Sequence, residues 1–372
     1  MKKSLIALAV LAASGASFAQ SSVTISGTFD PSMANQATTY GDGAKVTQNT
    51  LLNNAQGTSQ VTFKGVEDLG GGLKASFLLE NDFDASKDAT GNIGSKGGEQ
   101  YTALEGGFGK VALGAANTVS LYTQSGGNPF GTKIGSGFGA MNTAHVRSNN
   151  SVVYTSPVFA GFTLMGTYAN QTKATAAANG ASGTYAQGAV TTPASTDIGL
   201  LYANGPLSAG ISAWTTAAND LTNSTSAANL SAASKNRQTN AYVSYDFGVA
   251  KIGAGYYTEK QDMTGVAVGS LITGIASGVQ TVSTIDSQAY NVSAAVPLNA
   301  SLSLLGNYAK KNDKTALNLD RTVAAIGLKY TLSARTSVYA RYVDDKIDNV
   351  DASKSLFAKK VTTALVGVQH NF

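Results

Sequence analysis

The chain contains no cysteine, which excludes a disulfide scaffold and thiolate metal sites. Its only histidines are His145 and His370, so a hydrolase would lack the His, Ser and carboxylate constellation that acyl or phosphoryl chemistry needs within hydrogen-bond distance. Charge is sparse as well, at 13% of residues. Setting aside Lys2 and Lys3, 24 basic residues face 22 acidic ones, a net of +2 and no polybasic signature for nucleic acid. After the amino-terminal segment no run of about 20 apolar residues occurs. The nearest, 265–282, is interrupted by Gly265, Gly269, Gly274 and Gly278. No phosphate-cradling glycine motif, heptad or nucleotide fingerprint is present. Glu67 and Asp68 sit in a predicted turn, where they serve backbone amides rather than a metal.

What is present begins with an address. Lys2 and Lys3, an apolar stretch from Leu5 to Ala13, and small residues at Ser17 and Ala19 read as a secretory signal over 1–19, cleaved before Gln20. The 41 glycines, 16 tyrosines and 6 prolines that follow suit a large sheet with many turns. Ser59–Glu80, SQVTFKGVEDLGGGLKASFLLE, is the clearest unit, a strand, a short turn at 67–72 and a second strand in strict alternation. Val61, Phe63, Leu73, Ala75, Phe77 and Leu79 share one face, and Gln60, Thr62, Lys64, Lys74, Ser76 and Glu80 share the other. No second sheet or helix pattern exists to cover the apolar face, so lipid is its partner.

The same pattern recurs along the chain. A first strand at 23–30, seven hairpins and a last strand at 361–372 predict an all-β transmembrane antiparallel barrel of 16 strands occupying 20–372. Long polar connections (31–58, 81–98, 116–150, 169–196, 215–239, 258–287, 309–322 and 344–360) alternate with turns of a few residues, as in outer-membrane barrels. A strand number of 16 to 18 also encloses an aqueous channel.

SSVTISGTFD, FKGVEDLGGGLKASF (Phe63 to Phe77), Arg147 with NNSVVYTSP, YANGPLSAG, YDFGVAK and the closing VGVQHNF together resemble the trimeric general porins of Gram-negative outer membranes, most of all the anion-preferring porins of β-proteobacterial type. The resemblance implies a homotrimer in outer-membrane lipid and passive diffusion of small hydrophilic solutes and anions. It implies no cofactor and no metal. The terminal Phe372, with Val368 and Val366 behind it, resembles the signal read by barrel-insertion machinery. The resemblance also implies that the third loop, 116–150, folds into the lumen and narrows it to an eyelet. Such porins usually carry arginines where Gln60, Glu99 or Gln100, and Ala115 stand here, so the expected anion bias is weak.

Between Gly106 and Thr196 there is no Asp or Glu, whereas Lys110, Lys133, Arg147 and Lys173 fall there. Alternation assigns Lys64, Lys74, Lys110, Lys251, Lys329 and Arg341 to the wet face of the wall, against Asp30, Glu80 and Asp246. That is a surplus of six to three, favouring anions in a low-dielectric passage. The other reading of any one of these charges is that it only keeps a polar surface wet. Arg147 is the leading candidate for the constriction, with Lys64 and Lys133 as partners, Gln60 as further lining, and His145 as an eyelet lining or a loop hydrogen-bonder rather than a base. A barrel acting mainly as an adhesin or surface antigen through its long loops is the alternative function.

Overall fold

The computed structural model describes residues 22–87, 96–141, 145–173, 178–180, 183–185, 190–217, 233–264, 285–351 and 357–372. The expected signal segment lies outside them. Two strands are interrupted. β1 runs as Ser22–Phe29 and Pro31–Tyr40 on either side of Asp30, and β2 as Lys45–Asn53 and Gln60–Gly70 on either side of 54–59. Then follow β3 (Leu73–Asp82), β4 (Lys96–Gly106), β5 (Gly109–Ala115), β6 (Ser151–Thr155), β7 (Phe162–Ala169) and β8 (Ser195–Asn204). The second half comprises β9 (Leu207–Thr216), β10 (Ala233–Asp246), β11 (Lys251–Thr264), β12 (Asp286–Pro297), β13 (Leu302–Asp313), β14 (Arg321–Thr331), β15 (Thr336–Ile347) and β16 (Ala358–Asn371).

Each strand pairs antiparallel with its sequence neighbours, and β16 closes on β1 through Thr28↔Asn371, Ser32↔Gly367 and onward to Tyr40↔Ala358. Counting each interrupted strand once, sixteen strands form a closed barrel with no free edge, so outside the breaks at Asp30 and 54–59 the sheet itself satisfies its backbone groups in lipid. Phe372 completes the closure, its N–H donating to Gly27 O at 3.0 Å and its own carbonyl accepting from Gly27 N at 3.1 Å. Among the described residues no helix is long and apolar enough to cross a membrane.

The period of two sorts the side chains. On β15, Ser337, Tyr339, Arg341 and Val343 are buried, while Val338, Ala340 and Tyr342 between them are exposed. The exposed set around the wall is apolar. It includes Phe63, Phe77, Phe162, Leu164, Leu200, Ile211, Val292 and Leu328, and Leu302 and Leu304 lie in register with Tyr330 and Leu328 on that face. Tyrosines 168, 256, 290, 308 and 342 ring it near the long connections, and Phe108, Phe159, Tyr245, Phe247 and Tyr330 ring it near the short turns. Such aromatic girdles mark the two interfaces of a bilayer.

The sequence-based loop at 31–58 is wrong. Pro31–Tyr40 and Lys45–Asn53 pair residue for residue across the short turn 41–44. Their polar alternation (Asn35, Gln36, Gln48, Asn49) lacks the apolar stripe by which strands are recognised, because this part of β1 and β2 carries amides on both faces. The expected turn at 67–72 also shrinks, since Glu67 pairs with Ala75 and Asp68 with Lys74, leaving Gly70, Gly71 and Gly72 at positive φ to reverse the chain.

Leu200→Arg places a charge on the lipid face between Leu164 and Ile211. It is expected to cost about 2–4 kcal/mol of unfolding free energy, as Arg does near a bilayer midplane. The inward-facing substitution Lys329→Gln is expected to stay within about 0.5 kcal/mol. Urea unfolding in lipid vesicles checks the pair.

Candidate functional site

The connection from β5 to β6 is described at 116–141 and 145–150, and it lies against the inward-facing side chains. It leaves the wall at an isolated bridge between Asn117 and Arg147. Thr118 N-caps α1 (Val119–Ser125), its hydroxyl accepting from Leu121 N at 3.4 Å while donating to His145 O at 2.6 Å. The inner wall then supplies partners strand by strand. Asp197 on β8 accepts from Ser120 N and from Ser120 Oγ, both at 2.9 Å. Ser212 on β9 meets Thr123 at 2.6 Å, Asn240 on β10 receives the Gln124 amide at 3.3 Å, and Tyr257 on β11 donates to Gln124 O. Farther on, Ser293 of β12 donates to Gly127 O, and Asn307 of β13 donates to the carbonyls of Gly135 and Ser136, each at 3.0 Å.

Backbone approaches backbone closely where this segment touches β11. A Cβ at Gly253 would lie 2.2 Å from Gly127 O, and Gly127 itself holds φ +71. Glycine is required at both positions. Apolar contacts complete the docking. Val119 packs on Ala103, Ala112, Val153 and Met165, and Met141 of α2 (Phe138–Met141) packs on Ala289, Ala309, Val323 and Val343.

Between this segment, the 54–60 stretch and the end of β3 lies a cavity of about 710 Å³. It brings together four of the residues expected from sequence: Arg147, Lys133, Gln60 and Glu80. Arg147 donates to Asn117 Oδ1 at 3.1 Å and to Gly97 O at 3.4 Å, both neutral acceptors. Lys133 donates to Thr58 Oγ1. Burial pushes its ammonium pKa down, opposed by the fields of Asp82 and Asp30. Gln60 donates to Glu80, whose second oxygen accepts from Glu99 N at 3.0 Å.

The remaining wall charges are not in this cavity. Lys64, Lys74, Lys110, Lys251 and Lys329 face inward toward the short-turn end, where Lys74 is in register with Asp68 and Glu105, and Lys110 lies 2.7 Å from the Tyr101 hydroxyl. Asp246 accepts from Gly248 N and serves a turn. Two expectations change in kind. Arg341 is only 4% exposed and binds backbone carbonyls rather than facing open solvent. His145 does not project into the cavity either. Its ring stacks on Trp214 at 4.3 Å and bonds Ser148 at 2.9 Å. Val366 and Val368 are exposed on the lipid face of β16.

Sequence reasoning missed Asp82 and left Glu99, named only as standing where related porins carry arginine, out of the wall charges, because β3 and β4 extend beyond the predicted strand ends and carry both onto the inner face beside Glu80. Asp68 and Glu105 share that face. The surplus of six cations to three anions therefore does not survive. It also missed 54–59 as lining, for which the clustered Asn53, Asn54, Gly57 and Ser59 were the available signal of an irregular backbone.

Comparison with known proteins follows the same lines. Residues 5–350 match the Gram-negative porin family. The outer membrane porin protein 32 of Delftia acidovorans is 32% identical over 403 residues, covering all of both chains, and an outer membrane porin protein of Bordetella pertussis is 29% identical, again over both full lengths. Among solved structures, an anion-selective porin from Comamonas acidovorans superposes with a TM-score of 0.71 at 23% identity, covering 95% of this chain and 100% of that one. The trimer form of OmpT from Vibrio cholerae gives 0.61 at 14% identity, covering 95% and 99%.

Burial pushes the His145 imidazole from its ordinary 6.5 down to about 4. As pH falls, the unfolded chain takes up this proton first. The stability carried by the neutral stacked ring is therefore complete above about pH 6.5 and is lost between there and about pH 4. The stability gap between the wild type and His145→Gln should shrink over that interval in unfolding titrations, and a constant gap would contradict the assignment. Built as a closed sixteen-stranded barrel with a polar interior and matched over nearly its whole length, the chain belongs to the Gram-negative porin family.

Proposed function

We propose that the protein is an outer-membrane diffusion channel for small hydrophilic solutes and ions, with a weak preference for anions set at the cavity between the inward segment 116–150 and the wall. The observation that carries this reading is the placement of Arg147 and Lys133 on one polar cavity inside a closed barrel. The segment 116–150 acts as the constriction. Its own charges are basic only, and Arg147 bonds neutral acceptors, so its guanidinium is not cancelled by a contacting carboxylate among the described residues. Arginine suits the role, since it stays charged at any working pH and offers several donors to a passing carboxylate or phosphate. Glu80, Asp82 and Glu99 line or adjoin the same cavity and weaken the bias.

The mechanism involves no bond making. Solutes are filtered by width and weighted by the field of charges in a low-dielectric enclosure. Anion selectivity is stated for the Comamonas porin and the trimer for the Vibrio one, and both properties are proposed here for this chain. The apolar outer wall suits a homotrimer as well as lipid, since neighbouring subunits in a bilayer meet through surfaces as apolar as acyl chains. An adhesin would leave the polar inner wall and its cavity without a role. Folding of the closing strand ending in Phe372 is proposed to depend on barrel-insertion machinery.

The reversal potential across a tenfold KCl gradient at low ionic strength tests the selectivity. A small anion sign is expected, diminished by Arg147→Ser and fading as salt shortens the Debye length to about 3 Å near 1 M. A clear cation sign, or no change on Arg147→Ser, would defeat the assignment.

A further inference from the structure

Six residues, 54–59, separate the two stretches of β2, and on the β1 side they face only the break at Asp30, since Thr28 pairs with Gln60 and Pro31 with Asn53. A backbone without sheet partners inside a bilayer-spanning wall must find its hydrogen bonds elsewhere. At its ends Asn54 N donates to Asp30 O, Ser59 N to Asn54 Oδ1 and Phe83 N to Ser59 O, and two buried charges meet the middle. The Asp30 carboxylate, fully buried, accepts from Gln56 N and Gly57 N at 2.6 Å each and from the Tyr339 hydroxyl at 2.5 Å. The Arg341 guanidinium donates to Ala55 O at 2.5 Å and to Gln56 Oε1 at 2.6 Å. The acid thus takes the N–H groups of Gln56 and Gly57, and the base takes the Ala55 carbonyl and the Gln56 side-chain oxygen.

Arg341 does one thing more. The same Nη1 donates to Ile134 O of the inward segment, and the guanidinium lies 4.3 Å from the Phe130 ring of that segment. A second tie runs from Lys133 to Thr58. Asn54, Gln56 and Thr58 line the cavity on one side, and residues 128 to 133 line it on the other.

We propose that residues 54–59 are a second, fixed wall of the constriction, and that Arg341, braced by Asp30, is a positioning residue that sets the gap between this wall and the inward segment. Its charge is consumed in holding two backbones together, so it contributes width and not sign. The proposal rests on reading the interior as a passage. Charge-assisted bonds to carbonyls are strong and short, and a planar five-donor fork can bridge three acceptors where an ammonium offers only a compact point charge. Losing either buried partner also leaves the other uncompensated, so both segments should loosen when one is removed.

The test compares single-channel conductance, the size cut-off for uncharged sugars in liposome swelling, and reversal potential in wild type, Arg341→Met, Arg341→Lys and Gln56→Ala. Arg341→Met is expected to raise conductance roughly twofold, in line with the dependence of conduction on pore width, to spread the distribution of open levels and to admit larger sugars. The sign of the reversal potential should persist. Arg341→Lys should recover part of the wild-type cut-off, and Gln56→Ala, which removes one acceptor and leaves the barrel strands untouched, should shift conductance the same way by less. If Arg341→Met does not fold, Gln56→Ala decides. Unchanged conductance in the folded variants, or a reversal-potential shift without a change in width, would overturn the proposal. A wild-type protein that conducts nothing would instead overturn the reading of the interior as a channel.

Discussion

The structure depends on one constraint: within a bilayer no water is available to a backbone N–H or C=O, and each unpaired group costs several kcal/mol. A sheet that closes meets the constraint, and the pairing of β16 with β1 is where this chain meets it last. Alternation then follows without further instruction. Once the sheet is closed, every second side chain faces lipid and the others face inward, so one pattern yields both an apolar exterior and a polar lumen.

The same constraint shapes what lies inside. The described residues of the segment after β5 hold little regular structure, α1 and α2, so its backbone groups are met by Asp197, Tyr257, Ser293 and Asn307 on the inner wall, while Ser212 and Asn240 meet its side chains. Polar residues that would be liabilities in a soluble core become the docking surface here. Small residues such as Gly253, Ala289 and Ala309 admit the approach. The interior is therefore divided between residues that hold the segment and residues that face the cavity.

That division explains what was legible in the sequence. The alternation of Val61, Phe63, Phe77 and Leu79 and the alternating loop lengths specified the barrel and its strand number, because each depends only on local period and spacing. Pairing at 31–53 was not legible, since amide-rich strands carry no apolar stripe. Arg147, Lys133, Gln60 and Glu80 line one cavity, whereas Lys64, expected as a partner of Arg147, lies outside it. Arg341 had the expected location along the chain but a different role, and His145 is a hydrogen-bonded loop residue and not a lining one. Alternation tells which face a side chain takes and says nothing of whether another segment covers it. Asp82 escaped, and Glu99 was left out of the wall charges, for a simpler reason, since strand ends are set by cross-strand register and not by hydropathy.

The account stands on the claim that the enclosed polar interior is continuous from one end of the barrel to the other. Conductance of the purified full-length protein in planar bilayers measures this directly. Discrete steps, linear in voltage over the ohmic range and present without added ligand, are the predicted result. Correctly folded protein that inserts into the bilayer and gives no ohmic steps would contradict it.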